Sequence, residues 1–195
     1  MQRRIVDERK AKDDLRWQKT EEALMEAFAR EVESKAVGQI SVTALAKRAR
    51  INKSTFYLHY SDIYALAHAY ARNLADELLE DVGYSYLIED NPRLFIRHFI
   101  MATGDAKREG RAKILRNNDL VAPFLKELTL SLYTAVKNAY QIPSNRDDLK
   151  VRATFIVNGI MGVIQFHPEI ASFELMQIMD DMLLTFESDS SGAAS

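Results

Sequence analysis

A chain of 195 residues that is 47% hydrophobic and 28% charged has the apolar content to bury a real core, as one domain or as a small domain joined to a larger one. Seven Gly and four widely spaced Pro argue against sandwiches, collagen-like repeats and long linkers, and the absence of Cys excludes disulfides, thiolate zinc sites and cysteine nucleophiles. No apolar run reaches the roughly 18 residues of a membrane span, and the N-terminal MQRRIVDERKAKDD has no apolar signal core, so the expectation is a soluble, cytoplasmic protein with no membrane partner.

The net charge of −2 conceals an asymmetry. Residues 1–60 carry 13 Lys/Arg against 9 Asp/Glu, whereas residues 61–195 carry 13 against 19. From Ser34 to Ser61 there is no acidic residue, while Lys35, Lys47, Arg48, Arg50 and Lys53 all fall inside. A basic segment attached to an acidic one suggests two jobs, the first facing a polyanion.

Apolar recurrence predicts a first helix over Glu21–Ser34 on Leu24, Phe28 and Val32, with Thr20 as its N-cap. Gly38 punctuates it. Ser41 is placed to cap a short second helix with an inner face of Val42, Leu45, Ala46 and Ala49, and Asn52 to cap a third, Lys53 to Tyr60. Ser61-Asp62 opens a fourth helix running to about Val82. Beyond Gly83, helices are expected from Pro92, around Ile114-Leu115, from Asp119 to Tyr140 with Pro123 in its first turn, from Asp147 or Asp148 to Phe166, and from Ser172 to Phe186. The fold class is all-α with about nine helices. The expected organisation is an N-terminal extension (1–15), a domain of three short helices (16–62), a second helical domain (63–187) and a disordered tail (188–195).

Two short helices joined by a tight turn have the layout of a helix-turn-helix, whose second helix enters the DNA major groove. Such a pair needs a small residue at the crossing, met by Ala46, an apolar plug in the turn, met by Ile51, and an apolar inner face, met by Phe56. Lys53, Ser54 and Thr55 then form a polar outer end at which helix amides favour phosphate.

The segment ISVTALAKRARINKSTFYLHYSDIYAL, residues 40–66, closely resembles the DNA-binding segment of the tetracycline-repressor (TetR) family, with Thr55 to Tyr60 its most specific part. The resemblance implies a homodimeric transcription regulator that binds double-stranded DNA, whose C-terminal helices form the dimer interface and often a pocket for a small-molecule effector. By position it implies phosphate contacts from Tyr57 and His59, groove-facing Lys53 and Thr55, and backbone contacts from Ser41 and Thr43. Three positions depart from the family pattern. Arg50 stands where the turn usually has Gly, Ile63 where the family usually has a phosphate-binding Lys, and Leu58 where a polar or aromatic residue is common. Leu58 there suits an apolar contact with a thymine methyl.

In the C-terminal part, Gly159 and Gly162 each cost about 1 kcal/mol inside a helix, which close packing against another helix would offset. The interface expected from the resemblance comprises Phe155, Gly159, Gly162, Val163, Phe166, Met176, Met179 and Leu183. Candidate effector-pocket residues are His98, Phe99, Phe124, Leu128, Tyr133, Phe155, Asn158 and Met161, which mix aromatic bulk with a few polar groups. No HExxH, glycine-rich phosphate loop or nucleophile elbow is present, and the four His are dispersed, so neither an enzyme nor a cofactor or metal site is expected. The leading expectation is a repressor released from a palindromic operator by a small molecule. The alternative is an activator, or a dimeric interaction protein controlled by a partner protein.

Overall fold

The computed structural model describes residues 2–83, 87–103, 117–141 and 147–192; the side chains of 2–13, 82 and 183–192 lie outside the description. Its described elements are nine α-helices: α1 (Gln2–Glu31), α2 (Val42–Arg48), α3 (Lys53–His59), α4 (Ile63–Val82), α5 (Leu87–Asp90), α6 (Pro92–Ala102), α7 (Asn118–Tyr140), α8 (Asp147–Phe166) and α9 (Ser172–Gly192), with a 3-10 turn at Val37–Gln39. The protein is all-α, as its composition and apolar periodicity require.

Two compact units are present, residues 1–70 with 117–120, and residues 71–116 with 121–195. The boundary falls within α4, between Tyr70 and Ala71, and not at its start.

In the first unit, Leu24, Ala27, Phe28 and Val32 of α1 form one buried stripe with Leu45 and Ala46 of α2, Phe56 of α3, and Ile63 and Leu66 of α4. Phe28 meets the edge of Tyr70 at 5.3 Å between ring centroids. The buried Glu31 carboxylate pairs with Lys35 and, at 2.9 Å, with Arg48, tying α1 to the end of α2. Residues 117–120 belong to the same unit. The Asn117 amide donates to the Val32 and Lys35 carbonyls at 3.2 and 3.1 Å, and the Val37 amide donates to the Asp119 carboxylate at 2.9 Å.

In the second unit, Phe124, Leu128, Leu132 and Val136 recur every fourth residue along α7 and are all buried, as are Phe95, Ile96, Phe99 and Ile100 of α6 and Leu149, Ala153, Val157 and Ile160 of α8. The Arg93 and Arg97 side chains of α6 both reach Asp180 on α9.

Four local expectations change. Helix α1 begins at Gln2, so Thr20 is not an N-cap; it lies inside the helix, and its hydroxyl donates back to the Arg16 carbonyl at 2.9 Å. The segment 1–15 therefore continues α1 from Gln2 onward. Pro123 lies in the second turn of α7, where it removes the amide that would have bonded to Asp119. Helix α9 continues to Gly192, so the expected tail is helical over 188–192. The expected segment around Ile114-Leu115, the bracketing Gly104 and Gly110, and the loop at 142–145 lie outside the described residues.

Candidate nucleic-acid interface

The turn between α2 and α3 is built by backbone bonds. The Ile51 amide donates to the Ala46 carbonyl at 2.9 Å and the Arg50 amide to the Lys47 carbonyl at 3.2 Å, the paired bonds of a Schellman ending. That motif requires a left-handed residue between them, and Arg50 occupies it with φ 58°. Asn52 then re-extends the chain and its carbonyl accepts the Thr55 and Phe56 amides of α3, although its side chain makes no capping bond. Ser41 likewise stands at the start of α2 without capping it.

Helix α3 divides into two faces. Phe56 is fully buried and meets Tyr57 edge-on at 5.4 Å. Tyr60 is buried, and its hydroxyl donates to Glu21 of α1 at 2.8 Å. Burial first, then this bond to a carboxylate, pushes the Tyr60 phenol well above its ordinary range. Lys53, Ser54, Tyr57 and Leu58 are exposed, Leu58 at 72%, while Thr55 and His59 are half-buried. The Lys53 ammonium lies 5.9 Å from the Tyr57 ring centroid, a spacing at which cation and ring hold each other in place. Ser41 and Thr43 are exposed at the start of α2.

The charge of this surface is more selective than the acid-free window suggested. Lys35 and Arg48 are paired to Glu31, whose carboxyl is held below its usual range by the bond from Lys35, against the opposing effect of burial. Lys47, Arg50 and Lys53 are the window's other cations, and all three are exposed. Along α1, Leu15, Arg16, Lys19, Thr20 and Ala23 face Ala49 and Ile51 across an open trough of about 610 Å³. Ile63 is buried beneath this surface, so the position expected to carry a phosphate-binding Lys belongs to the core.

Sequence reasoning missed Trp17. It stacks on His59 with ring centroids 3.7 Å apart and planes 24° apart. The signal available was a lone Trp in an otherwise polar stretch.

The other candidate residues lie in the second unit. Phe99, Phe124, Leu128 and Met161 are buried and His98 and Tyr133 half-buried. Phe155 and Asn158 are exposed, with the Asn158 amide turned back to the Thr154 carbonyl at 2.8 Å. As pocket-lining candidates these two are therefore corrected: within one chain they stand on the outer face of α8 and not in the core with the rest. That face also carries Val151 and Phe166, and a Cβ placed on Gly159 or Gly162 would meet nothing within 4 Å. On α8 and α9, Val163, Met176 and Met179 are half-buried, and the Leu183 side chain lies outside the described ones.

Together the capped turn, the buried Phe56 and the exposed face of α3 define a helix-turn-helix protein. No family model matches the sequence, and no curated protein matches it. Solved structures do. The TetR family repressor AlkX from Dietzia sp. strain DQ12-45-1b, implicated in biodegradation of n-alkanes, superposes with a TM-score of 0.53 at 16% identity, over 86% of this chain and 94% of that one. A protein from Rhodococcus sp. described as a TetR-family transcriptional regulator superposes with a TM-score of 0.54 at 16% identity, over 84% of this chain and 97% of that one. The chain has the TetR-family fold.

Proposed function

We propose that this protein is a homodimeric, DNA-binding transcription regulator of the TetR type, acting in the cytoplasm as a repressor that a small-molecule effector releases from a two-fold symmetric operator. The observation that carries the reading is the outer face of α3, where Lys53, Ser54, Tyr57 and Leu58 are exposed together beside a turn that holds a cation, Arg50. A short helix that buries one aromatic and presents polar, aromatic and cationic groups outward suits insertion into the major groove. In this reading Tyr57 and His59 meet phosphates, Lys53, Ser54, Thr55 and Leu58 meet the groove, and Ser41 and Thr43 steady the backbone from α2.

Dimerisation is supported by the bare apolar face of the second unit. Phe155 is 79% exposed, Phe166 76%, and Val151 and Phe173 67% each. Helix α8 is long and apolar enough to cross a membrane by length and composition. Its charged first turns, Asp147 to Arg152, and its two uncovered glycines suit a second copy of the same helix better than lipid. Two α3 helices in a dimer would then read two half-sites about one DNA turn apart. An effector would fit the second unit, near Phe99, Phe124, Leu128 and Met161, and α4 runs from that unit into the first.

The test is the binding of duplex DNA by the purified protein over a range of salt. Affinity should fall steeply with added salt, and Lys53→Ala should flatten the slope by about one ion per subunit. A folded protein with no affinity for duplex DNA at low salt would overturn the reading.

A further inference from the structure

We propose that Trp17 is a positioning residue for DNA binding: its indole holds the His59 imidazole so that Nδ1 faces the protein and Nε2 is the nitrogen offered to a backbone phosphate. The proposal rests on the reading of α3 as the DNA-contacting helix.

His59 is the last residue of α3, and the chain leaves it in an extended conformation at Tyr60. A histidine at such an end ordinarily rotates among several orientations. Here one ring face is covered by Trp17 of α1, at 3.7 Å between centroids and nearly parallel, while the Tyr60 ring stands 6.3 Å away. The indole that covers it is itself about half exposed, so Trp17 does not serve the core. Its one aromatic partner among the described residues is His59.

The stack also distinguishes the two ring nitrogens. Nδ1 is buried and has no hydrogen-bond partner, whereas His59 as a whole is only half-buried. A neutral imidazole carries one N–H donor and one bare nitrogen, and a bare nitrogen is cheaper to bury without a partner than an N–H. The proton therefore sits on Nε2, facing outward, where a phosphate oxygen can accept it. Among the described residues, the charged group that acts on the ring is Glu21 of α1, already engaged by the Tyr60 hydroxyl. Burial disfavours a second proton on the ring and Glu21 opposes that effect only in part. At neutral pH His59 thus offers phosphate a fixed, uncharged donor, unlike the cationic contact of Lys53.

A double-mutant cycle on mixed-sequence duplex DNA tests this. His59→Ala and Trp17→Ala should each weaken binding roughly fivefold per subunit, and the double variant should be no weaker than either alone. His59→Ala should leave the salt slope unchanged at neutral pH, and Trp17→Phe should restore most of the affinity. Additive losses, or a Trp17→Phe variant as weak as Trp17→Ala, would overturn the positioning role.

Trp17 is the single Trp of the chain, so its emission reports the stack directly. Protonation of the stacked imidazole quenches indole emission. The free protein should show a quenching step with a midpoint below 6.5, absent in His59→Gln, and duplex DNA should move that midpoint up. A step that survives in His59→Gln would overturn the stack itself. A normal step in a protein that binds no DNA would overturn the reading of α3, and the positioning role with it.

Discussion

The Ile51 amide reaches across the end of α2 to the Ala46 carbonyl at 2.9 Å, and the residue it encloses, Arg50, is held at φ 58°. Glycine adopts that conformation freely, whereas an L side chain there costs roughly 1 kcal/mol. Strain retained at an exposed cation beside α3 has a direct explanation if the guanidinium meets a phosphate.

Arg50→Gly should therefore raise stability and weaken DNA binding at the same time. Thermal unfolding should show a gain of about 1 kcal/mol, and the salt dependence of binding should flatten by about one ion per subunit. A stabilised variant with an unchanged salt slope would leave the cation without a role in binding.

Glu31 joins α1 to α2 from a buried position, but Lys35 and Arg48 are themselves half exposed, which limits what the pairs contribute. Glu31→Gln should cost about 1–2 kcal/mol in chemical denaturation. The carboxyl is held below 4.5 in the folded protein, so its contribution is complete above that value and disappears as pH falls through the lowered folded value. The wild type should lose its advantage over Glu31→Gln in that acid window, and a constant difference from neutral to strongly acid pH would contradict the ion-pair account.

The exposed aromatic face of α8 should be covered in solution. Phe155→Asp combined with Phe166→Asp should give a folded monomer by sedimentation, with far-ultraviolet circular dichroism unchanged. A wild-type monomer at micromolar concentration would remove the argument from the bare face and from Gly159 and Gly162.

Asn117 connects the end of α1 to the start of α7, donating to two carbonyls and accepting the Asp119 amide at 3.2 Å. Asn117→Ala should cost about 1 kcal/mol, since the contacts are only partly buried. Hydrogen exchange should quicken at Val37, whose amide depends on Asp119 staying in place. Unaltered exchange there would show that residues 117–119 are held by something else.

What could be read in advance followed from which residues have a buried partner. Leu24, Phe28 and Val32 advertised the packed part of α1, and the need for a small residue and an inner aromatic identified Ala46 and Phe56, which are both buried, whereas Ile51, expected to plug the turn, is half-buried and lines the open trough beside α1. The stretch of α1 just before Thr20 was not legible because residues 14–19 are all exposed and have no buried stripe to impose a period. Thr20 misled because a hydroxyl that suits a cap also bonds to the carbonyl one turn back. The stack of Trp17 on His59 joins two helices distant in sequence, and no local pattern encodes it. Phe155 was assigned to both a pocket and an interface because apolar character alone does not say whether the covering surface belongs to the same chain.

The most direct test of the central claim is selection of binding sites from sheared genomic DNA by the purified protein, repeated with Tyr57→Ala. Tyr57 is half exposed on α3, so the substitution should leave the fold intact. The account predicts enrichment of a two-fold symmetric site by the wild type and its loss in the variant. No enrichment at low salt from a folded dimer would contradict it.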